Sequence, residues 1–403
     1  MMSLVETLPV LRLRSQEDRR LAQGHLWVFS NEVDTAVTAL QDLSPGQQVR
    51  LENHAGKPLG VAMVNPNSLI CARLVSRHPG TLLDSSLLKH RLQMALSLRQ
   101  QCYQAPYYRL TYGDADGLPG LVIDRYNDVY VVQIATAGME LLKDAVVAVL
   151  INLLSPRGIL MKNDAISREQ EGLSSYIEVA YGEVPERVQV MEGTLSFSID
   201  VREGQKTGWF YDHAPSRLWL AARSKGLRVL DVFSYVGAWG LQAAQGGARQ
   251  VLAVDSSVGA LELLQANALA NGVAEQVQTR QGDAFEVLTA LRQEGALFDV
   301  VIIDPPAFIK RRKDHKNGLM AYRRINELAM RLLDRNGLLV SCSCSMHLAR
   351  EELVDTLRAA SRHIDRMAQI IYHGHQGADH PIHPAIPETE YLKTVIARIN
   401  RAE

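Results

Sequence analysis

Cysteine is scarce in this chain, and what is missing around it excludes whole classes of function. The 403 residues hold four, Cys71, Cys102, Cys342 and Cys344, too few and too scattered for a disulfide framework. Neither a CxxC pair nor a Cys/His cluster at zinc-ligand spacing accompanies them, so a reduced, metal-free setting is expected. No stretch is apolar for the length a bilayer-spanning helix needs, and the opening "MMSLVETLPVLRLRSQEDRR" lacks an apolar core followed by a small-residue cleavage site. The chain therefore reads as cytoplasmic, with no membrane partner. An excess of one charge sign is also missing. With 43 Lys+Arg against 44 Asp+Glu the formal net charge is −1, so any grip on nucleic acid must come from local basic patches. What is present, 47% hydrophobic and 22% charged residues, is ordinary globular composition, and the length predicts two or three domains.

Three modules follow from the patterning. Residues 1–80 carry short alternating segments, "GQQVRLENHAGKPLGVAMVN" and "LICARLVS", cut by Pro, Gly and Asn turn signals, the pattern of a small β-barrel. Residues 81–185 hold a helix with apolar residues at helical spacing, "SLLKHRLQMALSLRQQCY", then a turn-rich hairpin, "YGDADGLPGLVIDRYNDVYVVQIA", an α+β subdomain. Residues 186–403 open on a hairpin, "RVQVMEGTLSFSIDV", after which strands and helices take turns from Leu227 onward, implying an α/β domain with a parallel, doubly wound sheet.

In "RVLDVFSYVGAWG" an apolar strand reaches Asp231, a loop carries Gly237 and Gly240, and a helix begins, so a ligand can lie against bare backbone at the strand end. The next strand, "QVLAVD", ends in Asp255, suited to accept both hydroxyls of a ribose, and "TRQGDAF" brings Asp283 to a third strand end, within reach of an adenine amine. Helix capping is the competing role for Asp255 and Asp283. The loop lacks the GxGxxG spacing that a pyrophosphate requires. S-adenosylmethionine carries no phosphate and is the expected cofactor.

"FDVVIIDPPAFIKRRKD" ends a fourth strand with Asp304, Pro305 and Pro306, a rigid turn suited to present a base. Exocyclic amine methylation uses an aromatic directly after such prolines, whereas Ala307 separates them from Phe308 here. Carbon-5 methylation of a pyrimidine needs a thiolate to add at C6 and activate the ring. The fifth strand, "GLLVSCSCS", supplies Cys342 and Cys344, which alternation directs to one face. Cys344, nearer the strand end, is the expected nucleophile, and Cys342 a buried apolar residue. The basic run "IKRRKDHK" and the cluster Arg12, Arg14, Arg19, Arg20, His25 and Trp27 are candidate RNA surfaces, although Trp27 fits a core role better. The histidines of "YHGHQGADHPIHP" are assigned no metal.

The series "LAQGHLWVFSNEV", "YGDADGLPGLVIDRY", "GQKTGWFYD", "VLDVFSYVGAWG", "IIDPPAF", "SCSCS" and "GADHPIHPAIPETEYLK" resembles, in order and over nearly the whole chain, the ribosomal large-subunit methyltransferase I family. The resemblance implies an N-terminal PUA barrel, a central subdomain, a Rossmann-like methyltransferase domain, and formation of 5-methylcytosine in 23S ribosomal RNA. It carries the family's cysteine onto Cys344, its D-P-P turn onto Asp304, Pro305 and Pro306, its cofactor loop onto Asp231 to Gly240, and its ribose acid onto Asp255. Phe210, Ser234, Gly237, Asp283 and Pro305 complete the expected cofactor set, and Cys344 with Asp304 the catalytic one. Where the family commonly continues "YLDQR", this chain has "FYDHAPSR", with His213 and Ala214 in place of the Gln-Arg pair. The rivals are methylation of another base, giving 5-methyluracil or a methylated guanine amine, and an RNA-binding relative without activity. A homodimer is compatible with the sequence.

Overall fold

The computed structural model describes residues 8–401, so the first seven residues of the segment read as carrying no leader lie outside the described residues. Two units emerge. One comprises residues 1–188, 200–209 and 378–389, the other residues 189–199, 210–377 and 390–403.

In the first unit, the alternating segments near the start build a five-stranded mixed sheet, with Val10–Arg12 at one edge and Trp27–Val28 at the other. An antiparallel bridge between Leu13 and Val33 joins chain following these two edges and closes the sheet on itself. Inside sit Leu11, Leu13, Val28, Val49, Leu51 and Ala72, the inward halves of the alternation. A second five-stranded sheet carries the central subdomain. Leu88, Leu92 and Ala95, on the helix Ser85–Cys102, are buried at helical spacing as the sequence pattern requires. Asp379 is anchored in this unit, accepting from the Arg109 amide at 2.9 Å and the Tyr103 hydroxyl at 3.0 Å.

The second unit is built on seven strands: β1 (Arg228–Val232), β2 (Gln250–Asp255), β3 (Val277–Gln281), β4 (Phe298–Ile303), β5 (Leu333–Ser343), β6 (Arg366–Gly374) and β7 (Lys393–Arg401). Their order is β3-β2-β1-β4-β5-β7-β6. The first five run parallel, and β7 lies antiparallel to both neighbours. β1 and β4 are buried over most of their length and apolar except at Arg228, Asp231 and Asp299, because helices cover both faces of a parallel sheet. The helices are α1 (Ala214–Ala221), α2 (Ala238–Gln245), α3 (Val258–Ala270), α4 (Ala284–Gln293), α5 (His315–Arg331) and α6 (Arg350–His363). α5 buries Tyr322, Ile325 and Ala329, and α6 buries Leu353, Leu357 and Ala360, in one core with Val232, Val301, Ile303 and Leu339. The chain order reverses between β1 and β4, which opens a crevice at the C-terminal ends of those strands.

α3 also fastens the hairpin strand Leu195–Asp200. Asn267 accepts from the Ser198 amide at 2.8 Å and donates to its carbonyl at 3.2 Å, so one buried side chain closes both backbone groups. Asn267→Ala strands those groups and is expected to lower unfolding stability by about 1–3 kcal/mol, read from urea denaturation.

Candidate functional site

Each strand of the parallel set delivers a polar residue to the same edge of the sheet. β1 carries Asp231, fully buried, whose Oδ2 accepts from the Gly240 amide at 2.8 Å. A Cβ on Gly240 would lie 3.0 Å from that oxygen and 3.0 Å from Val251 Cγ1, so a larger residue there would force a neighbour to give way. Burial pushes the Asp231 carboxyl up to about 7, with the Gly240 amide working against the rise. Between them the loop is unusual backbone: Phe233, Tyr235 and Gly237 all take positive φ, at 66°, 48° and 94°. At Gly237 the added Cβ would also meet Leu264 at 2.8 Å. Two non-glycine residues in the left-handed region store strain that the surrounding contacts must hold. Asp255 is one such contact, accepting from the Tyr235 amide and the Ser257 amide, both at 2.9 Å.

Asp283 shows the competing role weighed from sequence. Its Oδ1 accepts from the Phe285 and Glu286 amides at 2.9 and 3.2 Å, capping α4, and its side chain stands at the surface. Phe210 is half-buried with its ring 5.8 Å from that of Tyr235, edge to face. Its carbonyl accepts from the guanidinium of Arg217 at 2.7 Å, and Arg217 is itself buried against Glu192. Ser234 Oγ and Asp231 Oδ1 are buried without a hydrogen-bond partner in the loop. Orphaned polar atoms of this kind invite a ligand with its own donors and acceptors, and the amino-acid moiety of S-adenosylmethionine fits that demand.

The D-P-P turn follows β4, with Pro305 buried and Pro306 exposed. Asp304 keeps 21% of its side-chain surface and is held from two sides: Trp239 Nε1 donates to Oδ2 at 3.0 Å, and His213 Nε2 lies 3.2 Å from Oδ1. Burial alone would raise the Asp304 pKa, but the His213 charge and the bonds from His213 and Trp239 outweigh it and hold the carboxyl below its ordinary value. For His213 the balance is the mirror image. Burial works to lower its pKa, and Asp304, with help from Asp212, raises it above 6.5. His213 Nδ1 also lies 3.4 Å from Thr394 Oγ1 on β7.

The two cysteines part company here. Cys342 is fully buried, 3.6 Å from Thr394 Oγ1, and burial holds its thiol well above the usual range. Cys344 lies just past the end of β5 and is partly exposed. On the opposite face of the same stretch, Ser343 and Ser345 meet the Tyr322 hydroxyl at 2.8 and 2.9 Å. His213, Asp304 and Cys342 offer atoms within 4.8 Å of one another, but hydrogen bonds among themselves, Trp239 and Thr394 already occupy them.

Sequence reasoning left out three residues of this neighbourhood: His213, Trp239 and Lys393. His213 was noticed only as a departure from a pattern. Trp239 sits inside "VGAWG", where a tryptophan on a helix reads as core. Lys393 closes "GADHPIHPAIPETEYLK" but was given no role, and on β7 it lies far along the chain from the "SCSCS" stretch it adjoins. Among the basic candidates, Arg12 pairs with Glu52 at 2.6 Å and Arg20 with Glu32 at 2.5 Å, which leaves Arg14 and Arg19 as the exposed members. Lys310, Arg311, Arg312, Lys313 and Lys316 are all exposed after the D-P-P turn.

A seven-stranded sheet in this order, with its acidic residues at the strand ends, defines an S-adenosylmethionine-dependent methyltransferase, and the sequence model of that family matches residues 166–369. A PUA-like domain model matches residues 11–77. The chain belongs to the ribosomal RNA large subunit methyltransferase I family. It is 33% identical over 394 residues to the member from Shewanella denitrificans, covering 96% of this chain and 99% of that one. To the member from Klebsiella pneumoniae it is 32% identical over 396 residues, covering 97% and 98%. Among solved structures, a putative SAM-dependent methyltransferase from Streptococcus mutans superposes with a TM-score of 0.83 at 22% identity, over 97% of this chain and 100% of that chain. Among the described residues, no helix is long and apolar enough to cross a membrane.

The His213–Asp304 pair makes a pH prediction. A raised histidine contributes stability that is full below its unfolded value of 6.5 and fades as pH climbs through the folded value. A depressed carboxylate contributes above its unfolded value of 3.8 and fails as pH falls through the folded one. The stability gap between wild type and Asp304→Asn should therefore be widest from about pH 4 to 6.5, near 1.5–3 kcal/mol, and narrow above and below, in urea titrations across pH.

Proposed function

We propose that this enzyme forms 5-methylcytosine in large-subunit (23S) ribosomal RNA through a covalent bond between Cys344 and C6 of the target cytosine. The curated relatives are named as ribosomal RNA large subunit methyltransferases, which supports the substrate class. The observation that carries the chemistry is the partly exposed Cys344 at the end of β5, beside the strand whose end holds Asp304. A base must leave its stack to reach such a cleft. The exposed basic run from Lys310 to Lys316 suits RNA phosphates, as do Arg14 and Arg19 in the PUA-like barrel.

Cys344 Sγ adds to C6, and the electrons of the ring double bond move toward C5, making that carbon nucleophilic. Asp304 is held as a carboxylate and therefore accepts hydrogen bonds rather than donating them. It meets the cytosine edge at the N4 amine, and at N3 once that nitrogen carries a proton, offsetting the positive charge there. Asp255 is assigned to the cofactor ribose, Phe210 and Asp283 to the adenine side, and Asp231, Ser234, Gly237 and Pro305 to the remainder. The cofactor supplies an electrophilic methyl group on a sulfonium. Loss of the C5 proton then restores the ring as the S–C6 bond breaks.

Nucleoside analysis of ribosomal RNA lacking the modification, after incubation with labelled cofactor, tests the product. 5-Methyluracil, a methylated guanine or no label would each replace this reading. Cys344→Ala should abolish transfer while cofactor binding persists, and Cys342→Ala should remain active. RNA bearing 5-fluorocytosine should trap a denaturation-resistant adduct with wild type and Cys342→Ala and none with Cys344→Ala. An adduct dependent on Cys342 instead would reverse the assignment.

A further inference from the structure

Lys393 opens β7 and faces Ser343 across the ladder, so it adjoins the nucleophile's stretch of chain although it stands 49 positions after Cys344 in sequence. Its side chain is only about a twentieth exposed, at 5% for the residue. Nζ donates to the carbonyl of Ser345, the residue after Cys344, at 2.7 Å, and to the carbonyl of Tyr391 at 2.8 Å. Both partners are neutral. Among the described residues no carboxylate lies within ion-pair distance of it. A buried cation without a counter-ion costs several kcal/mol, so a lysine in this state points either to a neutral amine or to an anion that the reaction itself provides.

From this geometry we infer that Lys393 is the proton acceptor and counter-ion of Cys344, holding its sulfur as the thiolate that attacks the base. As a neutral amine, Lys393 has two N–H bonds for the two carbonyls and a lone pair left over. The step balances within the pair. The S–H bond of Cys344 breaks, its electron pair stays on sulfur, and the proton forms the third N–H bond of an ammonium. The reverse transfer follows when the thiolate leaves C6. Burial and the nearby Arg350 bring the Lys393 amine down to about 8, close enough to a thiol for the proton to be shared. Cys344 is the strongest of the groups that favour the charged form, ahead of Glu390 and Glu352. The titratable groups facing the pair are thus Arg350 and Glu352 from α6, Glu390, Tyr322 from α5, and Cys342.

Lys162 offers a contrast. It is also buried and also donates to two carbonyls, those of Arg202 and Gly204, but the charged groups around it are the acids Asp164, Asp200 and Glu203. There the lysine ties a loop. At Lys393 the foremost charged neighbour is another cation, and the thiol of Cys344 ranks ahead of the acids Glu390 and Glu352.

The inference rests on Cys344 being the nucleophile, but its test does not need RNA. Iodoacetamide alkylation of the full chain across pH, with tandem mass spectrometry locating the label, reads the thiolate fraction of Cys344, and exposed Cys102 serves as the internal reference. Wild-type Cys344 should react with a half-point below that of Cys102. Lys393→Gln keeps donors for the carbonyls and removes the charge, and should slow Cys344 alkylation at pH 7 about tenfold, a half-point rise of about one pH unit. Lys393→Arg keeps the charge and should retain the early half-point. In methyl transfer, Lys393→Gln should lower kcat at neutral pH and recover at higher pH, with KM for RNA unchanged. An unmoved Cys344 profile in Lys393→Gln with normal cofactor affinity overturns the inference. Should that variant fail to fold, a wild-type half-point no lower than that of Cys102, or a raised one in Lys393→Arg, overturns it equally. A shifted profile together with methylation surviving in Cys344→Ala would keep the ion pair and discard the covalent reading.

Discussion

The carboxylate of Asp304 is the point on which the crevice edge of the sheet depends. It ends β4, yet its two oxygens are held by Trp239 from α2 and by His213 from the turn before α1, and His213 reaches on to Thr394 of β7. Pieces of chain up to 181 positions apart are therefore drawn to one side chain. A carboxylate withdrawn from water is costly unless its lone pairs are used, and here the charge of His213 and the indole N–H satisfy it while leaving part of its surface open. That residual opening separates Asp304 from a fully closed ion pair such as Arg217 with Glu192.

Around this point the residues proposed for the chemistry also serve the architecture. Asp255 steadies the strained loop at Tyr235 and starts the turn into α3, and Asp283 caps α4. Neither bond excludes a ligand, since a carboxylate has about four lone-pair sites and Asp283 spends both cap bonds on a single oxygen. Strand ends in parallel sheets combine these duties readily. The backbone must turn there into a helix, the turn needs an acceptor for its amides, and the same acceptor faces the crevice.

Much of this was legible in the amino-acid order. The apolar runs of β1 and β4, the helical spacing along α5 and α6, and the rhythm of strand and helix from Leu227 onward need only local chemistry, and each element appears where its pattern lies. The position of Asp304 and the cysteines at strand ends follows from the same rhythm. Alternation alone also put Cys342 and Cys344 on one face, and Ser343 and Ser345 on the other, where Tyr322 meets both.

What sequence could not separate was the fate of residues whose surroundings come from elsewhere in the chain. Cys342 and Cys344 share a motif, and only the arrival of β7 with Thr394 seals the first while the end of β5 leaves the second accessible. His213 looked like the loss of a family residue until the fold laid it against Asp304, and Lys393, the last residue of "GADHPIHPAIPETEYLK", had no assigned role until antiparallel pairing set it opposite Ser343. The sequence by itself determined the elements, their order and the residues at their ends, because periodicity and turn chemistry act over a few positions. Which of those ends hold charge, which thiol is left open and which lysine lies by its stretch of chain were decided by tertiary structure, because burial and electrostatics depend on neighbours that only folding supplies.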